Sequence, residues 1–335
     1  AGSAILSALV IKGSWFLVVR LWFDALPGVV SLPAAQLLAA LGAAAIVLGS
    51  IVALRQERLK LLVAYSTVAQ IGYLFLMFPL AFGVGGEAPV HGAVLDAGVL
   101  QAISHATAKA GMFMAAGLIY ASMGHDRIAD LAGVARAMPL TVLAFALAGL
   151  ALMGVIPSGA YLAKKLMLAS AAESGQWWWT AVLQGGAAFT AGYMVLVLGN
   201  VFRRPQVPVV LVKRVSKLSE AAALALAICS LLLALAALGP VPGNLISNPL
   251  APKELLSTFA VVLAGVLLAL GLSRQSLLGG QSGAERNGMA RRIMIRLGGA
   301  FEKLDGFSRQ WPSATLALLA LALLFGALFR VAAPA

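Results

Sequence analysis

Long apolar runs, separated by short polar turns, recur along the whole chain. A run of about 20 apolar residues is long enough to cross the hydrocarbon core of a bilayer as an α-helix. The pattern therefore predicts an all-α polytopic membrane protein. Eight uninterrupted spans are predicted, at residues 3–23, 35–54, 61–82, 98–123, 176–202, 219–238, 254–272 and 312–331.

A further apolar stretch, residues 139–172, is interrupted by Pro157, Ser158 and Gly159. Proline removes a backbone donor and glycine loosens a helix, so we expect two half-helices that together make one crossing. Charge placement supports this, because Lys and Arg concentrate in cytoplasmic loops. Only if this stretch counts as one crossing do all the basic turns fall on one side, namely residues 55–60, 126–136, 203–217 and 274–309. The prediction is nine crossings, with the first residue inside and Ala335 outside.

Residues 285–304 differ from the spans, because basic residues are interspersed among the apolar ones. Met289 and Ile293 begin an apolar series at helical spacing, opposite several arginines. This pattern is typical of a short amphipathic helix on the membrane surface. We divide the chain into a transmembrane core, residues 1–202, and a C-terminal part, residues 203–335, which holds the remaining spans and this surface helix.

Composition agrees with a membrane protein and excludes several other classes. Hydrophobic residues make up 61% of the chain and charged residues 11%, whereas soluble domains carry about 25% charged residues. The net charge of +12 does not indicate nucleic-acid binding, because every basic cluster flanks an apolar span and acts as a topology anchor. We expect the lipid bilayer as a partner and no nucleic acid.

The residue types that hold redox cofactors are too few or wrongly spaced. Cys229 is the only cysteine, whereas an iron–sulfur cluster needs about four thiolates. His91, His105 and His125 lack metal-ligand spacing, and no glycine-rich phosphate loop occurs. We predict no catalytic residue, no cofactor and no metal in this chain.

The segment QAISHATAKAGMFMAAG, residues 101–117, places ionisable side chains inside an apolar span. Gln101, His105 and Lys109 recur every four residues and therefore share one helix face. A lysine at the centre of a membrane helix costs about 2.5–3.5 kcal/mol on insertion scales. Satisfied core groups are the alternative, but three such groups in a line favour a hydrated proton relay.

Lysines at three other places repeat this pattern. Lys12 lies inside the first span, where it either snorkels to the interface or exchanges protons as a buried amine. Lys60 opens the third span, either as a topology anchor or beside a hydrated path that includes Gln70. Lys164 and Lys165 follow the helix break, where transporter sites form. Spacing does not decide which of these two is buried.

Five motifs within residues 3–168 resemble, in the same order, those of the antiporter-like family. They are SAILSALVIKG, RLKLLVAYSTVAQIGY, HATAKAGMFMAAGLI, DLAGVARAMP and GVIPSGAYLAKKLML. This family comprises the large proton-pumping membrane subunits of respiratory complex I, related hydrogenase subunits, and the A- and D-type subunits of multisubunit cation/proton antiporters. The C-terminal half is similar only in hydropathy. The resemblance implies a half-channel with a central hydrophilic axis.

The resemblance also assigns roles to individual residues. Lys12 matches the lysine of the family's central helix, and Lys109, preceded by His105, matches the connecting position. Lys164 matches the terminal charged residue on the broken helix, and Lys60 fits the family's loop lysine. The predicted set of proton- or ion-translocating residues is therefore Lys12, Lys60, His105, Lys109 and Lys164.

This chain departs from the family pattern in one respect. Family members have several more helices before the one that holds Lys12, and those helices carry a key glutamate and a second lysine. We therefore expect either a C-terminal portion of a longer subunit or a partner that supplies the first half. Because the carboxylates of this sequence fall in loops or at span ends, an acidic partner is expected from the missing part or from another subunit.

Three hypotheses about function follow. The favoured one is a proton-translocating subunit of a multisubunit complex in a bacterial-type inner membrane, with cation/proton antiport as a variant. The alternative is a structural membrane subunit that serves docking and assembly. A third interpretation is the pumping arm of an NADH:quinone oxidoreductase or hydrogenase, with the redox groups in other subunits.

Overall fold

The structure is a computed structural model, and its regular elements are helices. It describes residues 2–26, 30–83, 92–205, 208–236 and 251–278. The long helices are α3 (Leu32–Leu54), α4 (Leu59–Leu80), α5 (Ala93–Met123), α9 (Trp177–Val201), α10 (Lys217–Ala236) and α11 (Pro252–Leu278). The shorter helices are α1 (Gly2–Ile5), α2 (Ile11–Arg20), α6 (Val134–Ala137), α7 (Pro139–Met153) and α8 (Gly159–Glu173). The predicted all-α class is confirmed.

Six helical stretches in the described ranges are long and apolar enough to cross a bilayer. They are Gly2–Ala25, Leu32–Leu54, Leu59–Leu80, Trp177–Val201, Lys217–Leu235 and Glu254–Gly271. Together with α5 and the α7–α8 pair, they fall where the sequence predicts spans up to residue 272. The crossing predicted at residues 312–331 and the surface helix at residues 285–304 lie outside the described residues. The count of nine and the division at residue 202 therefore stay predictions.

The first predicted span is a continuous helical run, Gly2–Ala25. Two π-helical turns, Leu6–Val10 and Leu21–Ala25, continue α1 and α2 without a break. Such turns widen a helix locally and are frequent at functional sites. The first of them comes directly before the turn that carries Lys12.

The predicted interruption between α7 and α8 is confirmed and lies at residues 154–158. Gly154 ends α7 with a left-handed backbone, φ 76°, which glycine adopts without steric cost. The Ser158 hydroxyl then caps α8 by accepting the Tyr161 backbone N–H at 3.1 Å. The break therefore starts slightly before the predicted position, and Gly159 is already helical. α7 and α8 contact each other much less than α3 and α4 do, as expected for half-helices that follow one another.

The closest helix packing joins α3 and α4. Gly42 and Gly72 face each other there, and a Cβ on Gly72 would overlap the Gly42 carbonyl oxygen. A Cβ on Gly49 would lie 2.7 Å from the backbone nitrogen of Ala69. Small residues of this kind allow membrane helices to approach closely.

In the part of the chain that the structure describes, two apolar clusters form the core, one at each end of the bundle. We call the end with the basic turns 55–60 and 126–136 the inner end, following the charge rule, and the opposite end the outer end. The inner cluster contains Leu59, Met112 and Phe145, and the outer cluster contains Trp15 and Phe78. Between them lies a set of buried polar side chains that we call the polar layer. Its members are Ser7, Ser66, Thr67, Gln70, Gln101, Ser104, His105, Lys109, Thr190 and Ser230.

Candidate functional site

The predicted stripe on α5 forms the centre of the polar layer. Gln101, His105 and Lys109 are all buried, and the side chains of His105 and Lys109 have no exposed surface. This face of α5 is buried because α4, α7, α8 and α10 all pack against the helix. The spacing of four residues therefore places two ionisable groups in the protein interior rather than against lipid, as intramembrane ionisable residues require.

Lys109 is held by α4. Its Nζ donates to the Val63 carbonyl oxygen at 3.1 Å and to the hydroxyl of Ser66. The same carbonyl accepts the Ser66 hydroxyl at 2.9 Å and the Thr67 hydroxyl at 3.0 Å. Serine and threonine commonly bond back to a carbonyl one turn earlier in this way. Three side-chain donors therefore converge on one backbone oxygen.

Lys12 reaches the same hydrogen-bonded chain from the first helical run. Its half-buried side chain folds back over the π turn, where Nζ donates to the Ser7 carbonyl oxygen. The Ser7 hydroxyl donates to the Thr67 hydroxyl at 3.1 Å, because the single Thr67 proton is already donated to the Val63 carbonyl oxygen. Lys12 also lies close enough to His105 and Lys109 to interact electrostatically with both. Lys12 and Lys109 thus occupy the two ends of one polar chain.

Ser104 lies where α5 meets the start of α8, and His105 follows it on α5. Both ring nitrogens of His105 and the hydroxyl of Ser104 are buried without a hydrogen-bond partner among the described residues. A Cβ on Gly159 would lie 3.1 Å from the Ser104 Cβ and 3.2 Å from its hydroxyl oxygen. A neutral imidazole can both donate and accept a proton. The short distances between Gly159 and Ser104 also show that the polar layer abuts the first residue of α8.

The two lysines of α8 point to different partners. Lys164 turns back toward the break, where its Nζ donates to the carbonyl oxygen of Met153 at 3.3 Å. Glycine at position 154 leaves room for this, because a Cβ there would lie 3.1 Å from the Lys164 Nζ. Lys165 instead forms an ion pair of 3.0 Å with Glu254 on α11. Both side chains are partly buried, and Lys164 is the one at the break.

Lys60 lies elsewhere. Its Nζ is 3.8 Å from the centre of the Tyr120 ring, near the inner end of α5, an arrangement typical of a cation–π contact. Its backbone N–H donates to Asp126 at 3.2 Å. The structure brings Lys12, His105 and Lys109 together but does not bring Lys60 into the polar layer. A role for Lys60 in translocation stays a prediction.

The expectation about acidic partners is wrong for Lys165. Its carboxylate partner, Glu254, belongs to this chain and also accepts a hydrogen bond of 2.9 Å from the Tyr161 hydroxyl. A second carboxylate, Glu220, is buried at the start of α10, where it accepts the Thr141 hydroxyl at 2.7 Å. Each carboxylate lies in the first turn of a span, so sequence position alone assigned it to the membrane edge.

A second hydrogen-bonded chain crosses the polar layer. The Gln101 amide donates to Gln70 at 3.3 Å, and the Gln70 amide donates to the Thr190 hydroxyl at 3.2 Å. This chain ties α5, α4 and α9 together. The sequence pattern pointed to the two glutamines, but Thr190 lies in an apolar span with no charged neighbour and gave no signal.

Comparison with known proteins covers the first part of the chain. A family model described as NADH:quinone oxidoreductase/Mrp antiporter, TM, matches residues 1–190. The NADH-quinone oxidoreductase subunit N of Desulforudis audaxviator is 36% identical over 170 residues, 51% of this chain and 32% of that protein. A Na(+)/H(+) antiporter subunit of Alkalihalophilus pseudofirmus is 31% identical over 175 residues, 48% of this chain and 20% of that protein. The matched part is thus about a third or less of each relative's length.

A solved structure has the same fold. A chain of the Mrp complex from Dietzia sp. DQ12-45-1b matches with a TM-score of 0.60 at 21% identity. The match covers 79% of this chain and 53% of that one. It extends the likeness in fold beyond the residues that the family model matches.

Proposed function

Because the chain belongs to the NADH:quinone oxidoreductase/Mrp antiporter transmembrane family, we propose that it is a proton-translocating subunit of a larger membrane complex. One observation carries the proposal. Lys12 and Lys109 hold opposite ends of a buried chain of hydroxyl and carbonyl groups, formed by Ser7, Thr67 and Val63. Buried ionisable groups of this kind in a membrane bundle mark ion and proton pathways.

The proposed path begins at Lys12 and ends at Lys164. A proton leaves the Lys12 ammonium through water that the hydroxyls of Ser7 and Thr67 hydrogen-bond. Water is needed because Lys12 and Lys109 both donate to carbonyl oxygens, which accept hydrogen bonds and have no proton to pass on. Lys109 receives the proton, and His105 carries it toward the break. Positive charge at Lys12 repels positive charge at His105 and Lys109, so a proton that enters the row favours the departure of the one ahead of it.

Partners and coupling ion are part of the same proposal. The named relatives belong to an NADH-quinone oxidoreductase and to a Na(+)/H(+) antiporter, which supports proton translocation with cation/proton antiport as a variant. We infer that other membrane subunits surround the chain and that the membrane is a bacterial inner membrane. The helices that would complete the half-channel before Lys12 come from the rest of the subunit or from a partner.

The test replaces the two ends of the row in the intact complex. We expect Lys12→Ala and Lys164→Ala each to lower proton transport in inverted membrane vesicles by about a hundredfold, the scale of losing a positioned proton carrier. Arg20→Ala is the matched control, because Arg20 is basic and on the same helical run but exposed and paired with Asp24 at 2.6 Å. Assembly of the complex is checked on native gels. Full transport in both lysine variants would refute the proposal.

The structural alternative makes a different forecast for charge-preserving changes. If the lysines only orient and dock the subunit, Lys12→Arg and Lys109→Arg should transport normally. Arginine does not release its proton at physiological pH. If the lysines form a proton relay, both arginine variants should assemble but should not transport protons. This outcome separates the two functions.

A further inference from the structure

A cavity of about 350 Å³ lies between α8, α9 and α11. At one end it is lined by Met153, the last residue of α7, and Gly154, the first residue of the break. At the other end it reaches Glu254, in the first turn of α11. This volume has room for several water molecules, and the cavity opens at the break between α7 and α8, where backbone groups are released from a helix.

The cavity lies in the outer half of the bundle. Its α11 lining extends from Glu254 to Val262, which is about 12 Å along a helix. Its α9 lining includes Gln184, seven residues after the helix starts at Trp177. α9 starts at the outer end, because α8 runs outward from the break and α9 follows it directly. α11 runs parallel to α9 and so starts at the same end, since Gly265 lies beside Ala188 whereas Leu268 lies beside Gly192. The cavity therefore extends from the middle of the membrane toward the outer end.

The charged groups of the cavity are arranged in two parts. Lys164 faces the break, 3.3 Å from the Met153 carbonyl oxygen. Glu254 is fixed nearer the outer end by Lys165, 3.0 Å from one carboxylate oxygen, and by the Tyr161 hydroxyl, 2.9 Å from the other. All four side chains line the same cavity, and Ser257 and Thr258 add hydroxyls next to Glu254.

We propose that this cavity is the outlet of the proton path and that Glu254 accepts the proton from Lys164. The inference rests on the proposed function, because it names where the translocated proton leaves. In the transfer, an N–H bond of the Lys164 ammonium breaks and an O–H bond forms on Glu254, directly or through water. Glu254 then releases the proton to water at the outer end. Lys164 is left as a neutral amine that takes the next proton from the polar layer.

Lys165 and Tyr161 are positioning residues in this scheme. Neither carries the proton. The charge of Lys165 and the O–H of Tyr161 hold the Glu254 carboxylate within the cavity, since a carboxylate at this depth needs compensating donors. An outlet therefore requires a titratable acid at position 254 rather than only a hydrogen-bonding side chain.

The first experiment measures transport in the intact complex in inverted vesicles. Glu254→Gln keeps the shape and loses the titratable group, and we expect transport to fall by about tenfold or more. Glu254→Asp restores the acid and should recover most of the rate. Glu173→Gln is the matched control, because Glu173 lies exposed at the outer end of α8 and should stay within about twofold of the wild type. A normal rate in Glu254→Gln overturns the outlet.

The second experiment measures access and does not depend on transport. In a Cys229→Ser background, Thr258→Cys lines the cavity, whereas Phe259→Cys, the next position, replaces a side chain that is 63% exposed on the lipid side of the bundle. A membrane-impermeant thiol reagent added from the outer side should label position 258 about tenfold faster, because only a hydrated thiol forms the reactive thiolate. Equal labelling rates at positions 258 and 259 would overturn the outlet. This result can be obtained even if the Glu254→Gln variant fails to assemble.

The two proposals fail differently. If Lys164→Ala abolishes transport while Glu254→Gln transports normally, the path stands and only the outlet is wrong. If Lys164→Ala and Lys12→Ala both transport normally, the proposed function is wrong whatever position 254 does.

Discussion

The ammonium of Lys109 donates a hydrogen bond to the backbone carbonyl oxygen of Val63, 3.1 Å away across the interface of α5 and α4. This oxygen already accepts the hydroxyls of Ser66 and Thr67 from its own helix, so Lys109 adds a donor from a second helix. The contact binds a buried charge to two groups that can themselves move protons. It therefore packs α5 against α4 and holds Lys109 in the middle of the proposed path.

Replacing Lys109 by methionine tests these two roles separately. Lys109→Met keeps the length of the side chain and removes the charge, so the cost of burying an ammonium disappears. We expect the variant to assemble with equal or higher thermal stability in detergent and to lose transport by about a hundredfold. Purification yield, melting temperature and vesicle transport measure this. A variant that transports normally would exclude Lys109 from the path.

The contact between the Ser7 and Thr67 hydroxyls, 3.1 Å, should contribute measurably to folding. Hydrogen bonds between membrane helices contribute about 0.6 kcal/mol on average. We expect Ser7→Ala and Thr67→Val each to lower the unfolding free energy by about this amount, and the double variant by less than the sum, because the two share one bond. Reversible unfolding in mixed micelles measures all three.

Thr107→Val is the control for this cycle. Within the described ranges, the Thr107 hydroxyl bonds only to carbonyl oxygens of its own helix, at 3.0 and 3.1 Å. Its loss should therefore change the unfolding free energy by a few tenths of a kcal/mol, roughly the effect of a surface substitution. Strict additivity of the Ser7 and Thr67 variants would show that the two hydroxyls do not interact.

Much of the helical framework could be predicted from the sequence, because each span is a continuous apolar run. A break at Pro157–Gly159 followed from local chemistry, whereas its start at Gly154, three residues earlier, is known only from the structure. The buried face of α5 followed from the spacing of Gln101, His105 and Lys109. Hydropathy and helical periodicity are properties of short stretches of chain. These features could therefore be predicted without knowing which helices are neighbours.

The contacts between distant helices could not be predicted in this way. Glu254 meets Tyr161 across 93 positions of sequence, and no local pattern fixes how α8 and α11 align. The Val63 carbonyl gives no signal either, because every residue of a helix has one. Lys60 is the opposite case. Its position in the sequence beside a polar run suggested a place on the proton path, but its side chain lies over the Tyr120 ring.

The close approach of α3 and α4 predicts a strong effect at Gly72. A Cβ there would overlap the Gly42 carbonyl oxygen and the Ile46 side chain, so Gly72→Ala must push the helices apart. We expect a loss of about 1–3 kcal/mol in unfolding free energy, as for overpacked cores. Gly117→Ala is the control, because a Cβ at Gly117 meets no atom within 4 Å; it should be neutral or stabilise by up to about 1 kcal/mol. Equal effects at the two glycines would contradict the packing.

Asp126 predicts a stability effect at the inner end of the bundle. Its carboxylate is 2% exposed and accepts the Arg58 side chain at 2.9 Å and the Lys60 backbone N–H at 3.2 Å. It therefore caps the start of α4 from a separate loop, where the helix dipole favours negative charge. We expect Asp126→Ala to lower the unfolding free energy by about 1–3 kcal/mol, because a buried backbone donor and a charge partner are lost together.

The exposed pair Arg127 and Asp130 provides the matched control for Asp126. These side chains are 66% and 55% exposed and 4.0 Å apart, and such surface pairs contribute between about 0 and 1 kcal/mol. Asp130→Ala should therefore have little effect, and added salt should reduce even that. The loss at Asp126 should persist in high salt, because its bond to the Lys60 N–H is shielded from solvent. If high salt removed the difference between the two variants, Asp126 would act as a surface charge and not as a helix cap.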